Sequence, residues 1–116
     1  MPFNIGGYIY DGTHASVGDY KNIIERGLVL HLDASALESY SGSGVDWYDM
    51  SGKGNHGTLI NGPTFSSDNQ GYINLDGTND YITIPYSSNW SFGTEEFTIE
   101  VWVNIASVAI PYQGII

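Results

Sequence analysis

Two acidic loops and a set of aromatic side chains are the parts of this sequence best equipped for chemistry. The segment 46–57 holds Asp46, Asp49, Ser51 and Asn55 among glycines. The short stretch 76–80 adds Asp76, Asn79 and Asp80. A hard cation such as Ca2+ takes six to eight oxygen ligands, and loops of this make-up can wrap one. Asp46, Asp49, Asn55, Asp76 and Asp80 are therefore the candidate metal ligands, with Ca2+ the candidate cofactor. The same residue types also hold tight turns with no metal, by side-chain-to-backbone hydrogen bonds. Trp47, Trp90, Trp102, Tyr48, Tyr81, Tyr86 and Tyr112 are candidate platforms for sugars. A sugar ring can lie its apolar face on an aromatic ring while nearby polar groups bond its hydroxyls. Trp102, with Glu100 and Asn104 on the same side of its segment, is the leading carbohydrate candidate, joined by Trp90 and Tyr86. Trp47 is read instead as a core residue, and a core role for Trp102 is the alternative.

Other chemistries find less support. His14, His31 and His56 show no paired metal-binding spacing. Retaining glycoside hydrolysis uses two carboxylates about 5 Å apart. Glu100 has Trp102 rather than an acid two residues on, and Glu95 and Glu96 precede that segment, so no catalytic residue is assigned and the reading is non-enzymatic. The absence of cysteine excludes disulfides and thiolate chemistry. Asn89-Trp90-Ser91 matches a glycosylation sequon but is discounted without a secretory signal.

The 116 residues suit one domain, and 41% of them are apolar, enough for a packed core. Thirteen acids face only Lys21, Arg26 and Lys53, for a formal charge of −10. Nucleic acid and anionic membranes are poor partners for such a surface, because phosphate binding needs Lys and Arg. No basic stretch followed by an apolar run marks a signal peptide, and no apolar run is long enough to insert in a membrane. Either the protein stays in the cytosol, or it reaches a virion or extracellular surface by a route that needs no signal peptide, such as release inside a virus particle at lysis.

The elements that must position these groups read as strands and turns. Fifteen glycines and nine tyrosines are an all-β signature. Residues 28–33 alternate Leu28, Leu30, Leu32 against Val29, His31, Asp33, which predicts a half-buried strand. Asp33 is a possible cap for a turn over 34–40, and 47–57 reads as an ordered loop. Thr58-Leu59-Ile60 meets Asn61-Gly62, a strong hairpin signal. Residues 72–75 and 81–84 predict a second pair of strands about the acidic turn. The cleanest alternation is 97–104, with Phe97, Ile99, Val101 and Val103 facing one way. Residues 1–27 differ from the rest. They hold an apolar stretch broken at Gly6-Gly7 and a possible short helix over 16–26, and they form either an attachment segment or an ordinary lead-in.

Four segments together resemble the concanavalin A-like lectin/glucanase superfamily, in its laminin G-like form. They are Gly27-Leu28-Val29-Leu30-His31-Leu32-Asp33-Ala34, residues 47–59 (WYDMSGKGNHGTL), Leu75-Asp76-Gly77-Thr78-Asn79-Asp80-Tyr81-Ile82, and Phe97-Thr98-Ile99-Glu100-Val101-Trp102-Val103. The resemblance covers residues 27–116 and implies an all-β fold, an antiparallel jelly-roll β-sandwich that is incomplete at the C-terminus. The remaining strands belong to a longer protein, come from another copy or partner by strand addition, or are absent from a reduced sandwich. Relatives of this type occur in bacterial surface proteins and in phage tail fibres and head decorations, and some carry calcium at a sandwich rim. The resemblance thus implies a virion structural or adhesion protein, a homo-oligomer that binds glycans or cell-surface polysaccharide and meets other virion proteins through residues 1–27. A purely structural decoration module, a bacterial adhesin and a glycoside hydrolase are the alternatives.

Overall fold

The computed structural model describes residues 25–106, together with the backbone of two short N-terminal strands. The chain divides into two compact units, Ile24–Gly93 and a second made of Met1–Ile23 with Thr94–Ile116. No α-helix occurs among the described residues, and ordered structure is β-strand and turn. In the discontinuous unit, β1 (Asn4–Ile5) pairs antiparallel with β2 (Tyr8–Ile9), on either side of Gly6-Gly7. The predicted helix over 16–26 lies almost wholly outside the described residues.

The continuous unit holds β3 (Asp46–Trp47), β4 (Gly57–Ile60), β5 (Thr64–Ser66), β6 (Tyr72–Asn74) and β7 (Tyr81–Thr83). They form two small antiparallel sheets, one ordered β3-β4-β7 and the other β5-β6. The β6 and β7 segments alternate as expected, with Ile73 and Ile82 turned inward between exposed neighbours.

The partners differ from those the sequence suggests. Asn61-Gly62 does form a tight turn, with both φ angles positive at 69° and 104°. Yet β4 does not pair with β5 across it; β4 pairs with β7, and β5 with β6. Nor do 72–75 and 81–84 pair with each other. The four strands are instead one long antiparallel ribbon that passes from the first sheet into the second. At the crossing, residues 61–63 lie opposite residues 75–80, so the register shifts there. Asn61 Nδ2 donates to the Asn79 carbonyl at 2.7 Å, tying the two turns together. Both hairpin signals are therefore the two sides of one bend, and a bulge of unequal lengths supplies the twist that re-aims the ribbon.

Two further corrections concern the predicted strands. Residues 28–33 are not in a sheet. Their backbone groups are taken by the loop beside them: Met50 N–H donates to the His31 carbonyl at 2.9 Å, and Asn55 Nδ2 to the Val29 carbonyl at 2.7 Å. The second is Phe97–Asn104, which makes no strand ladder in spite of its alternation. Alternation states which side chains share a face; the ladder must come from a partner strand. The all-β class stands, but the two small sheets do not make up a clear jelly-roll sandwich among the described residues.

The apolar centre of the continuous unit is small. Tyr40 is 2% exposed and Leu59 3%. Tyr40 packs against Phe65 with ring centroids 5.4 Å apart, and edge-on against Trp47 at 6.4 Å. Its hydroxyl donates to the Gly44 carbonyl at 2.8 Å, which allows a polar tip inside the cluster. Gly71 closes this cluster from the side of β6. A Cβ there would stand 2.8 Å from the Ala34 carbonyl oxygen and 3.2 Å from Phe65 Cε2, and its φ of 115° suits only glycine. Asp33 performs the predicted turn role, with Oδ1 accepting Ser35 N–H at 2.8 Å and Ser35 Oγ at 2.6 Å.

Candidate functional site

Asp49 is the organising residue of the loop between β3 and β4. Its carboxylate is buried and accepts four hydrogen bonds, two on each oxygen. Oδ1 takes the His31 N–H at 2.8 Å and the Ser51 N–H at 2.9 Å. Oδ2 takes the Ser51 hydroxyl at 2.7 Å and the Asn55 N–H at 2.9 Å. Burial alone would raise its pKa, but the donors from Ser51, His31 and Asn55 outweigh it and hold the carboxyl below its ordinary value. The Asp49 N–H in turn donates to His56 Nδ1 at 3.0 Å, which selects the Nε2–H tautomer, and the His56 ring meets Tyr48 edge-on at 5.3 Å. Burial lowers the pKa of His31 against the opposing pull of Asp33 and Asp49.

From this node a hydrogen-bond path leads to the turn that carries the half-buried Trp90, beside the exposed Tyr86. Asn55 is buried; its backbone is held by Asp49 and its Nδ2 bridges the Val29 carbonyl and Asn89 Oδ1, the latter at 3.1 Å. Asn89 lies in a single 3₁₀ turn, Ser88–Trp90, which Ser87 caps by accepting the Asn89 N–H at 3.2 Å. Ser87 Oγ also donates to Asn89 Oδ1 at 2.9 Å. The turn carries Trp90, whose Nε1 donates to the Pro85 carbonyl at 3.2 Å. Beside it Tyr86 is 84% exposed, with its hydroxyl 3.4 Å from Ser91 Oγ. Residues 85–91 thus present an aromatic surface on a turn anchored to the buried loop.

The candidate metal ligands fall in two separate turns, 46–57 and 76–80. Asp49 accepts from Ser51 and Asn55 within the loop and from His31 outside it, while Asn55 Nδ2 reaches out to the Val29 carbonyl and Asn89. Asp46 is exposed in β3 opposite Thr58. In the second acidic turn, Asp76 Oδ1 accepts the Thr78 and Asn79 N–H groups at 2.8 and 3.3 Å, and Asp80 Oδ2 accepts the Asp76 N–H at 3.0 Å. The Thr78 N–H above all holds the Asp76 carboxyl below its ordinary pKa. Among the described residues, no three His, Asp or Glu side chains come together as a possible metal site. The side-chain-to-backbone role of these residue types is the one that the geometry displays.

The carbohydrate candidates fall into two groups. Tyr86 and Trp90 share the anchored turn. Glu100, Trp102 and Asn104 lie on the exposed segment of the other unit, where Trp102 is 77% exposed. Trp47 is half-buried against Tyr40, as its core reading anticipates, and its indole Nε1 is buried with no hydrogen-bond partner among the described residues. Tyr112 and His14 lie outside the described residues. Two residues that pattern reading missed hold the loop together. Ser39, fully buried, accepts the Asp33 N–H at 3.0 Å and donates to the Tyr48 carbonyl at 2.7 Å. Asn89 is the hook of the aromatic turn, and only its sequon drew notice.

No family model, curated protein or solved structure matches the chain.

Proposed function

We propose that this protein is a non-enzymatic adhesion module of a virion, binding surface carbohydrate through the aromatic turn 85–91. The observation that carries this reading is the anchoring of that turn. Tyr86 is exposed, and three residues on the Asn89 side chain is tied through Asn55 to the buried Asp49 loop. A fixed aromatic surface binds with a smaller ordering penalty than a mobile one. Ser91 and Ser88 supply hydroxyls beside it, as sugar recognition requires. The four segments that resemble concanavalin A-like domains support a lectin-type role. One ribbon bending from one small sheet into a second supports a jelly-roll sandwich as the complete architecture. In this reading residues 1–27 attach the module to other virion proteins.

The test is a glycan array with a parallel lipopolysaccharide pull-down, comparing the native chain with Tyr86→Ala, Trp90→Ala and Trp102→Ala. Aromatic stacking is worth about 0.5–1.5 kcal/mol beyond area burial, so Tyr86→Ala should weaken binding up to about tenfold. Loss confined to Trp102→Ala would move the site to the other unit. No binding by the native chain would favour a purely structural decoration module.

A further inference from the structure

We propose that Asn61 is a self-modification site: its side-chain amide cyclises with the Gly62 nitrogen, water opens the ring to aspartate or isoaspartate, and the product releases the crossing between the two small sheets. This inference is independent of the carbohydrate reading. Asparagine is a thermolabile residue type, and how fast it reacts depends on the residue after it. A side chain there crowds the attacking nitrogen; glycine has none and turns freely. Asn61 alone of the asparagines in this chain is followed by glycine. Both residues are exposed. A Cβ at Gly62 would meet nothing within 4 Å, and the Gly62 N–H has no hydrogen-bond partner among the described residues. The nucleophile is neither shielded nor occupied.

The only co-reactant is water. The Gly62 nitrogen gives up its proton and bonds to Asn61 Cγ. The bond from Cγ to Nδ2 breaks, and Nδ2 leaves as ammonia with that proton. Water then opens the five-membered imide. Cleavage between the Gly62 nitrogen and Cγ gives aspartate. Cleavage between that nitrogen and the main-chain carbonyl carbon gives isoaspartate, which lengthens the main chain by one carbon. The leaving nitrogen is also the atom that ties the bend, donating to the Asn79 carbonyl at 2.7 Å. Cγ must turn towards Gly62 for the ring to close, and that motion breaks the tie, so the fold slows the reaction. Once it has occurred the tie cannot re-form. The new carboxylate has no proton to donate and faces a carbonyl oxygen, in a bend that already carries Asp76 and Asp80. The loss falls where the ribbon passes from the β4-β7 pair to the β5-β6 pair. Asp76-Gly77, on the other side of the bend, has the same spacing without the same chemistry. An ionised carboxylate is a poor electrophile, and the Thr78 and Asn79 N–H groups bond the Asp76 carboxylate in that form.

Incubation of the full chain at mildly alkaline pH in heavy-oxygen water, with and without urea, tests the proposal by peptide mass spectrometry. The expected result is that solvent oxygen enters first at Asn61, with both aspartate and isoaspartate formed there. Conversion should run about two- to tenfold faster in urea, the worth of the one hydrogen bond that must open. Asn61→Asp reproduces one product directly. It should raise the unfolding equilibrium constant by about the same two- to tenfold, read from urea unfolding at constant slope. Conversion that starts at another asparagine, or an Asn61 that keeps its amide throughout, would overturn the assignment of the site. Equal rates with and without urea would overturn the gating by the Asn79 carbonyl. An Asn61→Asp chain as stable as the native one would overturn the release of the crossing.

Discussion

Replacing Asp49 by Asn keeps the shape of the side chain and changes only what it can accept. The amide oxygen can still take two donors, for example the His31 and Ser51 N–H groups now on Oδ1. The amide nitrogen then stands where Oδ2 was and faces the Ser51 hydroxyl and the Asn55 N–H. The hydroxyl can rotate and accept instead, but the Asn55 N–H cannot. A buried donor left unsatisfied costs about 1–3 kcal/mol, and the remaining bonds lose their charge assistance. The expected loss is roughly 2–4 kcal/mol, a large part of the roughly 5–15 kcal/mol typical of whole domains. Urea unfolding followed by tryptophan fluorescence, at constant slope, measures it. The pH dependence gives a second arm. The folded carboxyl of Asp49 titrates below its ordinary value of 3.8, so its stabilisation is complete above that pH and is lost as pH falls through the folded value. Asp49→Asn should flatten this acid limb. A variant within about 0.5 kcal/mol of the native protein, with the same acid limb, would refute the node argument.

Gly71→Ala should lose about 3 kcal/mol or more, from a positive φ that alanine disfavours and a clash with the Ala34 carbonyl; a thermal melt with an unchanged midpoint would contradict the packing described. Trp47→Phe removes a buried unpaired donor along with some contact area, so its stability should lie within about 1 kcal/mol of the native chain, while Trp47→Ala should cost about 3 kcal/mol. Because burial lowers the His31 pKa, unfolding should bind a proton as pH falls from 6.5 towards the folded value. Stability should therefore decline across that window, and His31→Gln should flatten it without touching the limb due to Asp49. Asn55→Ala frees the 85–91 turn, and faster amide exchange at Asn89 and Trp90 is the expected signature; unchanged exchange would show that the Asn55 bridge is not what holds the turn.

Several features were legible in the order of residues because they are local. Asn61-Gly62 marks a left-handed turn, Asp33 and Asp76 are each two residues from an N–H they bond, and the alternation of 72–74 and 81–83 places Ile73 and Ile82 inward. Each depends on backbone preferences or side-chain reach within a few positions. What each segment pairs with was not legible. The two hairpin signals turned out to be opposite sides of one bent ribbon, since a turn type constrains its own dihedrals and not the sheet each arm joins. Residues 28–33 have a strand's alternation, but a loop carboxylate and amide take their backbone groups. Asn55 and Asn89 lie 34 positions apart, and nothing in either neighbourhood announces the bond between them. The sequence by itself determined that this is a β protein of tight acidic turns and exposed aromatic side chains. Only the tertiary structure decided that Asp49 spends its charge on holding a loop, because long-range hydrogen bonds depend on which segments meet in space.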